Sequence, residues 1–204
     1  NDITIAANSK TTATGATAGG QVNIGLAGTK VSGGAQVSSS TQAGIKANAD
    51  EAAQNNQLAN TVTIGKNALI DASATQSGNG GSIAIWSQAK TTVAGILKSM
   101  GGAISGNGGF IETSSKGQVS LAPSAQINTS VNNQTAKAGT WLLDPLDLTI
   151  DKTTANFISQ VLANSNVTIA VTNSTTACPI GSCTQNGTSS CCCDCVRGAC
   201  DRSE

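Results

Sequence analysis

Val62-Thr-Ile-Gly-Lys-Asn-Ala-Leu-Ile-Asp-Ala-Ser73 decides how this chain is read, because it returns as Val119-Ser-Leu-Ala-Pro-Ser-Ala-Gln-Ile-Asn-Thr-Ser130. Laid over each other, the copies give V-x-[I/L]-x-x-x-A-x-I-[D/N]-x-S. Val, Ile/Leu, Ala and Ile keep their places while most positions between them differ. The period is two on either side of a short break, which predicts two brief strands with one buried face. Twelve residues cannot bury that face alone, so the repeat must stack on neighbours. A coiled array is expected rather than a globule.

Composition agrees. Ile, Leu, Val and Phe make up about 19% of the chain, close to the level below which a compact core fails. Disorder would also require high net charge, yet 11 basic residues balance 11 acidic ones. Low hydrophobicity, neutrality and 23 glycines fit a β-solenoid, which buries a narrow axial core and spends many residues on turns. The neutral balance argues against nucleic acid or an anionic membrane as partner, since no basic stripe exists to release counterions. Aromatics are limited to Trp86, Trp141, Phe110 and Phe157, which leaves few stacking platforms. No apolar run reaches transmembrane length, and no charged-then-apolar signal opens the chain. The opening Asn-Asp-Ile-Thr-Ile reads as the middle of a repeat, so a piece of something longer is expected.

Apolar-x-apolar triplets recur at Ile3-Ile5, Val22-Ile24, Val62-Ile64, Ile83-Ile85, Val119-Leu121, Leu148-Ile150 and Val167-Ile169. Steps near 20, or near twice 20, suggest one triplet per coil, with Ile45-x-Ala47 filling the gap between the second and third. Some eight coils at about 4.8 Å each would make a rod roughly 40 Å long. Glycine-rich corners separate the strands at Gly19-Gly20, Gly33-Gly34, Gly78-Asn-Gly-Gly81 and Gly106-Asn-Gly-Gly109. A phosphate cradle would need a following helix, but Ile83-Ala-Ile85 continues as strand, so these are turns. Alternation points Ile83 and Ile85 inward and Trp86 outward, as an exposed contact or lying over a neighbouring loop. Ala68, Ile70, Ala125 and Ile127 form an inner row by the same logic. Asp50–Leu58 breaks the pattern and reads as an outer loop or short helical turn.

Gly139-Thr-Trp-Leu-Leu-Asp-Pro-Leu-Asp-Leu-Thr-Ile150 is the most specific stretch. It resembles the W-L-L-D-P-x-[D/N]-x-[T/S]-I segment of filamentous haemagglutinin-like and high-molecular-weight adhesins, the exoproteins of bacterial two-partner secretion. In that family a helix and another V-x-I strand follow. Here Thr154–Asn164 and Val167-Thr-Ile169 stand in those places. Phe157, Ile158, Val161 and Leu162 fall on one helical face, with Thr153 or Thr154 as N-cap. The resemblance covers residues 1–177 and is sharpest over 139–171. It implies a right-handed parallel β-helix, an outer-membrane translocator for export, and roles in adhesion or biofilm formation. Haem binding, known in some members, has no local support, since the chain has no His and no Tyr.

Chemistry-bearing residues are few. Asp144-Pro145-x-Asp147 places two carboxylates at one turn, but a glycosidase needs a cleft and a defined carboxylate separation. Asp2, Asp50, Asp71 and Glu112 are scattered, and no Arg precedes Arg197. No catalytic, cofactor or metal site is assigned. Asn-x-Ser/Thr occurs at Asn128, Asn133, Asn166, Asn173 and Asn186; chance yields such triplets in this composition, while some adhesins of the resembled family are glycosylated there. The seven cysteines all follow residue 177: Cys178, Cys183, Cys191, Cys192, Cys193, Cys195 and Cys200. This shift divides a shaft, 1–177, from a cysteine-rich tail, 178–204. Cys178-Pro-Ile-Gly-Ser-Cys183 reads as a small disulfide loop suited to an extracellular setting. The remaining cluster reads as a disulfide knot with one thiol left for cross-linking, as a thiolate metal site, or as a scar unrelated to the fold.

The expectation is therefore an all-β right-handed parallel β-helix with one short helix near 154–164, secreted or at a bacterial cell surface, and not an enzyme. Its partners would be a host or neighbouring-cell surface, a glycan, or other copies joined end to end or by disulfides. The alternative is a polysaccharide-active β-helix enzyme. Ice binding would need a flat Thr ladder, of which Thr12-x-Thr14 and Thr61-x-Thr63 supply fragments.

Overall fold

The computed structural model describes residues 1–25, 58–132 and 135–171, together with the backbone of 184–185. Strands follow one another in sets of three. The first set is β1 (Asp2–Ile5), β2 (Lys10–Thr12) and β3 (Gln21–Ile24); the second is β4 (Thr61–Ile64), β5 (Leu69–Asp71) and β6 (Ser82–Ile85). The third is β7 (Lys90–Val93), β8 (Ile96–Lys98) and β9 (Phe110–Ser114), and the fourth β10 (Gln118–Leu121), β11 (Gln126–Asn128) and β12 (Thr140–Asp144). A fifth passage runs β13 (Leu148–Thr149), α1 (Lys152–Leu162) and β14 (Asn166–Ile169), and β15 (Thr184–Gln185) follows.

Like members of successive sets pair in parallel. They build sheets ordered β1-β4-β7-β10, β2-β5-β8-β11 and β3-β6-β9-β12-β14, while β13 and β15 pair antiparallel. The architecture is all-β, of parallel sheets, with one short helix among the described residues. The apolar triplets do not mark one coil each. Ile3-Ile5 and Val62-Ile64 lie in the first sheet, whereas Val22-Ile24 and Ile83-Ile85 lie in the third. A step near 20 is thus a step between sheets, and partners in adjoining strands of the later sets lie about 28 residues apart, as Ser82 and Phe110 do. The described residues hold four full sets instead of eight coils. Ile45-x-Ala47 and Gly33-Gly34 lie outside them.

Register stacks side chains into columns. Ile3, Val62, Thr91 and Val119 form one, Ile5, Ile64, Val93 and Leu121 a second, and Ile83, Ile111 and Trp141 a third. Val62, Ile64, Ala68, Ile70, Ile83 and Ile85 are fully buried, and Ala125 and Ile127 nearly so, as alternation requires. The third set carries a disguised copy of the opening repeat. Thr91 takes the place of Val62 and Leu97 that of Ile70, across a turn two residues shorter. Thr91 tolerates burial because its hydroxyl donates to the Ser114 carbonyl at 2.8 Å and lies 2.8 Å from Ser87 Oγ, which itself donates to Ser115 Oγ. Buried hydroxyls persist only when so matched.

Turn residues recur for equally local reasons. Asp71 Oδ1 accepts from the Ser73 amide at 2.9 Å and Asn128 Oδ1 from the Ser130 amide at 2.8 Å, which explains the shared [D/N]-x-S. Asn107 donates its amide to Asn79 Oδ1 and accepts at its own Oδ1 from the Lys137 amide, both at 2.9 Å. Gly81, Gly109 and Gly139 stack at one corner, where a Cβ on each would strike the backbone of the preceding set.

α1 starts earlier than expected. Asp151, not Thr153 or Thr154, is the N-cap, its Oδ1 accepting from the Thr154 amide at 2.8 Å. Phe157 and Val161 enter the core and Ile158 packs against it, but Leu162 is 56% exposed, because the buried arc of the helix is narrower than its apolar arc. Phe157 meets Trp141 edge to face at 5.7 Å.

Candidate functional site

Two surfaces follow from this register. On the outer side of the first sheet, Thr4, Thr63, Thr92 and Ser120 form one column of hydroxyls, exposed at Thr4 and half-buried beyond it. The column beside it is mixed: Asp2, Thr61, Lys90 and Gln118. Thr61 Oγ1 donates to Asp2 Oδ1 at 2.7 Å, and this bond, aided by Asn60, holds the Asp2 carboxyl below its usual value. Of the ladder that ice binding would need, the first sheet supplies Thr4, Thr63 and Thr92 in one column and Thr61 alone in the next.

The second surface lies where the first sheet stops. Leu146 donates its amide to the Gly117 carbonyl at 2.9 Å, as if to lay a fifth strand on β10. The chain then leaves, and β13 pairs with β15 instead. A groove of about 720 Å3 takes the vacant place, lined by Gln118, Val119, Ser120 and Leu121 on one side and Leu146 to Thr149, Asp151, Thr153 and Thr154 on the other. A smaller recess of about 160 Å3 continues it past Pro123 toward Phe157 and Gln160 of α1. Among the described residues, two aspartates and no Lys or Arg line these spaces. Asp147 Oδ1 is shielded from solvent and accepts no hydrogen bond from the described residues. Asp151 is engaged at the helix start, and the Thr154 amide holds its carboxyl below the usual value.

Sequence reasoning singled out Asp144 and Asp147 but not the groove. Asp144 ends β12, half-buried, opposite Ser114, and Asp147 lies on the groove wall. Nothing in the local pattern reveals that the next strand departs from the sheet.

Of the two readings of Trp86, the exposed contact is corrected: the ring is 3% exposed, with Lys116 Nζ 5.6 Å from its centroid. Alternation tells which side of a sheet a side chain leaves from, not whether that side meets water. Here the outer side of the third sheet is covered as well: Ala84, Glu112 and Leu142 are all buried. Glu112 Oε1 accepts from Ser114 Oγ at 2.8 Å.

Among the acceptor candidates, Asn128 is half-buried and Asn166 exposed, with Asn166 Nδ2 donating to the Ala138 carbonyl at 2.9 Å. Asn133, Asn173 and Asn186 lie outside the described residues, as do Cys178, Cys183, Cys191, Cys192, Cys193, Cys195 and Cys200. Among the described residues no cluster of His, Cys, Asp or Glu is placed to hold a metal, and no helix is long and apolar enough to cross a membrane. Comparison with protein-family models, with curated proteins and with solved structures found no match.

Proposed function

We propose that this chain is a non-catalytic shaft segment of a secreted bacterial exoprotein of the filamentous haemagglutinin-like type, wound as a right-handed parallel β-helix. The observation that carries the reading is the interleaving of three parallel sheets, in which every strand of the first three sets finds its partner in the next set. Visiting three sheets in constant order is what winding about one axis would produce, and this supports the β-helix reading. Such a winding gives stiffness and reach from a narrow core, and its outer sides are free to display the Thr4–Ser120 hydroxyl column. The resemblance of Gly139–Ile150 supports the same reading. Its Trp141 and Leu143 face the core, with α1 and β14 following as in that family. The working contacts would then be a cell surface, a glycan or further copies of the chain, reached after export through an outer-membrane translocator.

Electron microscopy of the native material together with a glycan panel scored for binding and for cleavage tests this. Rods or filaments with binding and no cleavage are expected. Cleavage that disappears in Asp144→Asn or Asp147→Asn would instead establish the polysaccharide-active enzyme.

A further inference from the structure

The open edge of β10 is a built seat for a strand. Gln118 donates its amide to the Ala89 carbonyl and Ala122 to the Val93 carbonyl, so even-numbered positions spend their backbone groups on β7. By the alternation of a parallel ladder, Val119 and Leu121 aim theirs the other way, into the groove. Among the described residues only the Gly117 carbonyl is taken on that side, by Leu146. Unpaired strand edges are templates for another chain. The far wall supplies the second half of the argument. The Asp147 side chain lines the groove, Asp151 lies near it in sequence, and no cation lines the space among the described residues. A carboxylate on a groove wall is best met by a charged donor, whose hydrogen bonds are the stronger kind.

We propose that this groove accepts an extended segment of another polypeptide, added in register to β10 as the missing fifth strand. That segment alternates apolar residues with lysine or arginine. Its backbone pairs with Val119 and Leu121, and one of its cations meets Asp147. This is strand addition, in which main-chain bonds give affinity and alternate side chains give specificity. The proposal rests on local geometry and holds whether or not the chain serves as an adhesin shaft.

The test uses the full chain and a fluorescent hexapeptide alternating lysine and valine. It is compared with a glutamate–valine peptide and with the lysine peptide N-methylated along one edge. Saturable binding of the lysine peptide is expected, weakened at least tenfold by glutamate or N-methylation and at least threefold in Asp147→Asn. Amide exchange at Val119 and Leu121 should slow about tenfold when the peptide is present. Absence of binding by the lysine peptide, equal binding of the N-methylated or glutamate peptide, an unaffected Asp147→Asn chain, or protection away from β10 would each overturn the proposal. Because the N-methylated control alters the ligand alone, the outcome does not depend on any variant folding.

Discussion

Trp141 Nε1 donates to Thr113 Oγ1 at 3.0 Å, joining neighbouring strands β12 and β9 inside the buried face of the five-stranded sheet. Both residues are fully buried. The threonine thus lets the largest side chain of the core lie inward without an orphaned donor, while Phe157 closes over its ring. Thr113→Val keeps the shape and removes the acceptor. It should cost about 1–3 kcal/mol in chemical denaturation, whereas Thr113→Ser should recover most of the loss.

Inner and outer positions on adjacent strands should differ sharply. Ile70→Ala opens a void in the column between Thr11 and Leu97 and should cost about 2–5 kcal/mol. Thr63→Ala, on the outer hydroxyl column, should stay within about 0.5 kcal/mol. Equal losses at the two sites would contradict the assignment of sides.

At the stacked glycine corner, Gly109→Ala would drive a methyl group into the Gly81 carbonyl. Backbone cannot step aside as a flexible side chain does, so a loss of about 1–3 kcal/mol is expected, the range for overpacking. Slower-exchanging amides of β6 and β9 should become the first to open, which amide exchange by mass spectrometry reads.

The start of α1 should respond to acid. The Asp151 carboxyl is held below its ordinary value of 3.8 by the Thr154 amide, so its folded-state affinity for protons is the lower one. Its contribution is therefore complete above the unfolded value and is lost as pH falls through the folded value. The Thr154 amide should exchange faster below about pH 4. Asp151→Asn, which still caps, should flatten that dependence.

Tryptophan fluorescence separates the two views of Trp86. With Trp141→Phe in place, Trp86 is the sole reporter. Its emission should be blue-shifted and resistant to acrylamide, as burial demands. Red-shifted, readily quenched emission would restore it to the surface.

How much of this was legible in the sequence differs from residue to residue. Val62, Ile64, Ala68 and Ile70 could be read directly, because period two puts these apolar side chains on one side and leaves one solution. The copy at Thr91–Leu97 could not. A buried threonine looks polar until the Ser87 and Ser114 groups that satisfy it are seen, and a turn shortened by two residues breaks the alignment. Spacing between triplets mixed steps within a set and steps between sets, which inflated the number of turns. Trp86 stayed between two readings for a different reason, since period two is silent about whether the outer side of a strand is covered. The groove was hidden altogether. It exists because β13 chose β15 over β10, a choice made by tertiary contacts that no twelve-residue window contains.

The 28-residue offset that separates Ser87 from Ser115, Asn79 from Asn107 and Ser82 from Phe110 bears on how such a gene can change. Between the first two sets the offset grows to 59 residues, as from Asp2 to Thr61, yet the partners still meet in the same order. Unequal recombination that duplicates or deletes one in-frame block therefore delivers a unit whose two contact faces already match what it lands on. Point changes must satisfy a column, but whole-block events need satisfy only a junction. On this geometry, whole-block events change the number of stacked sets at the least structural cost.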